Sequence, residues 1–132
     1  MLSDILENHC IVKEPLSKAE SIKIQQKWIG LYANKVKEET GKWRIGKNLW
    51  EGFAAGIQPS YLNVKAIEKY KEIKTGCFYV FDESGKHAFK CCSDQNPEIY
   101  DSGLDLYLVA EDFSWTVVFC HDNVVYFSEY NE

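Results

Sequence analysis

A chain of 132 residues, 45% hydrophobic and 14% aromatic, has the composition of one folded domain and not of a disordered tail. Its formal charge of −5 is unevenly spread: residues 1–75 hold 13 Lys/Arg against 9 Asp/Glu, and residues 76–132 hold 2 against 11. An acidic half of this kind repels nucleic acid and attracts basic partners, although a plain solvated face explains the same bias.

The chain opens on Met1–Cys10, where Asp4, Glu7 and His9 leave no apolar core for a signal peptide. No apolar run approaches the ~20 residues of a membrane-spanning helix, so the expectation is a cytoplasmic protein. Five cysteines, Cys10, Cys77, Cys91, Cys92 and Cys120, then read as reduced thiols, mostly buried as small hydrophobes. Ser17-Lys-Ala-Glu20 matches a capping box. Behind it Ile22, Ile29, Tyr32, Ala33 and Val36 recur at helical spacing, and Thr40-Gly41 supplies the stop. A shorter helix is expected at 48–53, with Leu49, Trp50 and Phe53 on one side. A third is expected from about Asn63 to Ile73.

After Gly76 the apolar period changes from near 3.6 to 2. Strands are expected at 77–81, 86–91, 104–110, 115–120 and 124–128. The loops at 82–85, 111–112 and 121–123 make short hairpin turns, and 96–103 is an irregular connection. Asp122-Asn123 tolerates the positive φ angles of a two-residue turn. Helices first and strands second imply an α+β fold, with the N-terminal helices (about 1–75) on one face of a roughly five-stranded, mostly antiparallel sheet (about 76–132).

Chemistry-bearing motifs are sparse. His9-Cys10, His87 with Cys91-Cys92, and Cys120-His121 resemble metal pairs, but adjacent residues on a strand point to opposite faces and only one of each pair can reach a common ion. A Cys–His nucleophile would use Cys120 or Cys92, yet an acidic surrounding raises a thiol pKa instead of lowering it. The carboxylates sit mostly in turns, and no phosphate-binding or dinucleotide fingerprint occurs. The reading is therefore no catalytic set, no metal and no cofactor. Aromatics amid acids, with almost no Lys or Arg beside them, fit a protein-binding face better than a nucleic-acid platform.

Leu49-Trp50-x-x-Phe53, Ala66, Cys77-Phe-Tyr-Val-Phe81, Ala88-Phe89 and, above all, Asp105-Leu-Tyr-x-Val109-x-x-Asp112-Phe-Ser-Trp-Thr116 followed by His121 resemble a small uncharacterised bacterial family. That family ends in Asp-x-Tyr-x-Val-x-x-Asp-Phe-x-Trp-Thr and a His-Glu pair; here Asp122 stands in place of the Glu. The likeness covers about residues 47–128. The same ending is similar to immunity proteins of bacterial toxin systems, including contact-dependent growth inhibition. The resemblance implies a small acidic cytosolic protein that binds a basic nuclease toxin domain and blocks it without catalysis. The acids Asp82, Glu83, Asp101, Asp105, Glu111, Asp112 and Asp122 would then meet the toxin's Lys and Arg, with Tyr107, Tyr126 and Tyr130 as anchors. The alternative expectation is a small enzyme or ligand-binding protein with a pocket near His121 lined by Trp50 and Trp115.

Overall fold

Leu106-Tyr-Leu-Val-Ala110 contains no charged residue, and Trp115-Thr-Val-Val-Phe119 contains only a threonine among apolar side chains. Strands of that composition require cover on both faces. In the computed structural model of the protein, which describes residues 2–9, 12–74, 76–100 and 103–130, every residue of both strands is buried. The elements are α1 (Leu2–Asn8), β1 (Val12–Pro15), α2 (Lys18–Tyr32), α3 (Asn34–Thr40), α4 (Glu51–Ala54), β2 (Tyr61–Leu62) and α5 (Val64–Lys71). Five strands follow: β3 (Cys77–Asp82), β4 (Ala88–Cys92), β5 (Leu106–Ala110), β6 (Trp115–Phe119) and β7 (Val125–Glu129). No helix among the described residues is long and apolar enough to cross a membrane.

The fold is α+β with an open sheet in the order β1-β4-β3-β5-β6-β7-β2, antiparallel at every pairing. Two expectations need correction. The sheet has seven strands and not about five, because the helical half contributes both edges, β1 and the two-residue β2. These pieces are too short for a two-residue period to register. The helices also divide between the faces. Leu106, Leu108, Trp115, Val117 and Phe119 pack with Leu2 and Leu6 of α1 and Ala66 and Tyr70 of α5. Tyr107, Val109, Val118 and Phe81 pack with Trp28 and Tyr32 of α2 and with Leu49 and Phe53 beside α4.

The capping box forms as the sequence implies: Glu20 N–H donates to Ser17 Oγ at 3.1 Å and Ser17 N–H donates to Glu20 Oε1 at 3.2 Å. The face that α2 buries is another matter. Ser21, Trp28 and Tyr32 turn inward, while Ile22 is 37% exposed and Ile29 only partly buried. Polar groups decide this docking as much as apolar ones. Trp28 Nε1–H donates to Thr116 Oγ1 (2.9 Å), Ala88 N–H donates to Ser21 Oγ (2.9 Å), and Tyr32 O–H donates to the Phe113 carbonyl (2.7 Å). The helix breaks at Ala33, and Gln58 Oε1 accepts from Lys35 N–H and Val36 N–H to start α3. Gly41, at φ 78°, ends it. Gly52 lets α4 approach α3: a Cβ there would stand 2.6 Å from Val36 Cγ2.

Three hairpin turns share one backbone solution. A turn bond closes residue i to i+3, from Gly85 N–H to Asp82 O, Phe113 N–H to Ala110 O and Asn123 N–H to Cys120 O. The closing residue is left-handed each time, with φ of 67°, 64° and 65°. The tip at His121-Asp122-Asn123 is thus a three-residue loop with a single positive φ, at Asn123, and not the two-residue turn expected; Cys120 N–H donates to Val124 O at its base. The reduced-thiol expectation also fails for one pair. The β3–β4 register sets Cys77 directly opposite Cys92, Cα atoms 4.1 Å apart, and they form a disulfide. Cys91, one residue before Cys92, points into the core as a free thiol.

Candidate functional site

Strand registers sort the expected acids by which end of the sheet they occupy. Asp82 pairs with Leu106, and Leu106 with Phe119, so the turns after β3 and β6 and the start of β5 share one end. Ala110 and Trp115 lie at the other end with Glu129. The seven acids therefore do not form one patch. Asp101 lies outside the described residues.

At the first end the acids are largely committed to the fold. Glu83 accepts from Arg44 Nη1 (2.5 Å) and from Leu49 N–H (2.7 Å), and also takes a short hydrogen bond from the Tyr107 hydroxyl. The same hydroxyl accepts from Trp50 N–H at 3.1 Å. This carboxylate ties the 44–50 loop to the sheet. Tyr107 is wholly buried, its phenol pushed upward first by burial and then by the Glu83 charge, so neither residue is placed to meet a partner as expected. Tyr126 is also buried, stacked on Trp50 with ring centroids 5.9 Å apart. Asp105 Oδ1 receives both the backbone N–H and Nδ1 of His121, each at 2.8 Å. That hydrogen bond, with the Asp105 charge, raises the pKa of the exposed imidazole. Asp82 Oδ1 accepts from Ser84 N–H and O–H, and Asp122 stands exposed at the tip.

Chemically this end offers a solvent-facing histidine–carboxylate pair. The neighbouring Cys120 thiol is pushed well upward by burial, then by Asp105, Asp122 and Glu83, and stays protonated. Cys92 is held in the disulfide, so neither thiol of the Cys–His reading is an available nucleophile in this state. Trp50 and Trp115 do not line a common cavity: Trp50 packs on the α2 face and Trp115 on the α1–α5 face, with the sheet between them. Among the described residues no group of three His, Cys, Asp or Glu is placed to hold a metal ion. His87 is exposed in the loop before β4 while Cys91 is buried.

The opposite end is assembled differently. Trp115 pairs with Glu129 and Tyr130 N–H donates to Ser114 O (3.0 Å), so the 111–114 turn abuts the end of β7. Glu111, Asp112, Glu129 and Tyr130 are all exposed here. The Ser114 side chain and N–H hold the Asp112 carboxyl below the usual range, which keeps it ionised. Glu111 pairs with Lys90 at 2.7 Å. Burial raises the Tyr32 hydroxyl above its ordinary value, and the charges of Asp112 and Glu129 add to that rise. Glu129 and Arg44 were not singled out from the sequence. Glu129 follows the last apolar strand directly, a signal that was available; Arg44 sits in a segment with no periodicity to place it.

The chain matches no protein-family model, no curated protein and no solved structure at a significant level.

Proposed function

We propose that the chain is an immunity- or antitoxin-like protein that neutralises a basic toxin domain by stoichiometric binding. The acidic end of the sheet at Glu111, Asp112 and Glu129, with Tyr130 beside them, would be the contact surface. The observation behind this reading is the convergence of three exposed acids and an exposed tyrosine at one end of a packed sheet. A partner meeting charges already fixed on tight turns loses little conformational freedom on the protein's side. Carboxylates there pair with Lys or Arg, and tyrosine supplies apolar area with a polar tip. Asp82 and Asp122, at the far end, fall outside this surface.

The test is association kinetics against the toxin domain. Reversing Glu111, Asp112 and Glu129 together should slow association about tenfold or more and flatten its salt dependence, because rim charges act chiefly on the on-rate. Reversing Asp82 and Asp122 should change much less. Equal effects from both sets would show that net charge, and not this surface, governs binding.

A further inference from the structure

Four of the eight large apolar residues that stand exposed among the described residues gather around the start of α5: Tyr61, Leu62, Val64 and Tyr100, with Leu62 53% and Val64 75% exposed. They are contiguous. Tyr61, Leu62 and Val64 are near neighbours in sequence, and Val64 and Tyr100 share the wall of a groove of about 370 Å³ with Ile67 and Val125. A grouped apolar surface with a polar rim marks an interaction site, where scattered single side chains do not. The two sheet edges differ in the same sense. β1 carries Lys13, Glu14 and Pro15, features that keep an edge from pairing, whereas β2 is Tyr61-Leu62 alone.

Helix α5 presents an ordered row of charge beside this cluster. It buries Ala66 and Tyr70, so Lys65, Glu68, Lys69 and the C-cap Glu72, at i, i+3, i+4 and i+7, form the side away from the core. Lys65, Glu68 and Glu72 are exposed. Lys69 Nζ stands 5.2 Å from the Tyr61 ring centroid, which joins the row to the apolar cluster. Lys65 reaches Glu68 only at 3.8 Å, and Glu72 has no ion-pair partner among the described residues.

That row selects its partner. It alternates in sign and sums to zero, so a uniformly charged surface, basic or acidic, is repelled at as many positions as it is attracted. A copy running antiparallel, with the two-fold axis between Glu68 and Lys69, meets the row in reverse order. Lys65 then faces Glu72 of the second copy at both ends, and Val64 faces Ile73, which is only partly buried in its own chain. We infer that the outer face of α5, with Tyr61, Leu62 and Val64, is a homodimer interface that joins two copies of this chain about a two-fold axis. It uses none of the acids of the proposed toxin contact and is tested on the chain alone.

The test is sedimentation velocity of the full chain over a range of concentrations. The wild type should convert from monomer to dimer as concentration rises. Val64→Lys should weaken the dimer at least about tenfold. Lys65→Glu and Glu72→Lys, each setting like charges opposite at both ends, should weaken it about fivefold or more. The double variant, Lys65→Glu with Glu72→Lys, exchanges the two signs and should return to within about twofold of the wild type, because the ends are again complementary. Both reversals place an acid near the helix N-terminus or a base near its C-terminus, so neither threatens the fold; an unchanged unfolding midpoint checks this. A chain that stays monomeric up to about 1 mM would overturn the inference. So would a Val64→Lys variant that dimerises like the wild type, or a double variant no better than the weaker single one.

Discussion

Glu83 is the residue whose replacement separates a structural acid from a surface one. Its carboxylate receives three donors, Arg44 Nη1, Leu49 N–H and the Tyr107 hydroxyl. In Glu83→Gln one oxygen remains to accept, and the new amide N–H₂ must face a donor. Hydrogen bonds to charged groups contribute roughly 1.5–3 kcal/mol each, and a buried group left unsatisfied costs about as much. With the Glu83 side chain 24% exposed, water recovers part of this, so a loss of about 2–3 kcal/mol is expected. At this chain length that corresponds to a fall in Tm on the order of 6–12 °C. Urea unfolding followed by tryptophan fluorescence measures it. Tyr107→Phe removes one of the three donors, and a double-mutant cycle with Glu83→Gln should show a coupling above about 0.5 kcal/mol. Asp122→Asn, at the exposed tip, should stay within about 0.5 kcal/mol of wild type. A Glu83→Gln protein as stable as the Asp122→Asn protein would refute the reasoning.

Gly52→Ala should cost about 1–3 kcal/mol, since its methyl group overlaps Val36 Cγ2 in the α3–α4 contact; thermal unfolding reads this directly. Asp105 raises the His121 pKa, so the folded value exceeds the unfolded one, and the stabilisation from this pair is full below the unfolded pKa and lost as pH rises through the folded one. An NMR titration should find the His121 ring titrating above the ordinary histidine value of about 6.5, and Asp105→Asn should bring it back; titration at or below that value in the wild type would contradict the pairing. Reducing Cys77–Cys92, which spans a sequence separation of 15, should lower stability by roughly 3 kcal/mol. Cys91 and Cys120 should resist thiol reagents in the folded protein, since both are buried and the Cys91 thiol is pushed up to about 12.

Much of the fold was legible because its determinants are local. The Ser17–Glu20 box, the Gly41 stop and the five C-terminal strands each rest on residues a few positions apart. The errors came from relations across the chain. The Ile22–Ile29 stripe has helical spacing, but the inward side of α2 is chosen by Trp28 reaching Thr116 and Tyr32 reaching Phe113, contacts 88 and 81 residues apart in sequence. The Cys77–Cys92 bridge depends on the β3–β4 register, which the 83–87 loop sets and composition does not reveal. For the acids one deduction was within reach. Turns flanking a single strand fall at opposite ends of an antiparallel sheet, so Glu111-Asp112 and Asp122 could not share a surface. That Glu83 and Tyr107 serve each other was not visible, because nothing in the sequence joins the 44–50 loop to β5.

Growth rescue tests the proposed function most directly. The C-terminal portion of the protein encoded immediately upstream is expressed with and without this chain, and growth is followed alongside co-purification of the two. The account predicts a toxic product whose effect is relieved by this chain in a one-to-one complex, with relief lost when Glu111, Asp112 and Glu129 are reversed together. A toxic product that is neither bound nor relieved would contradict it.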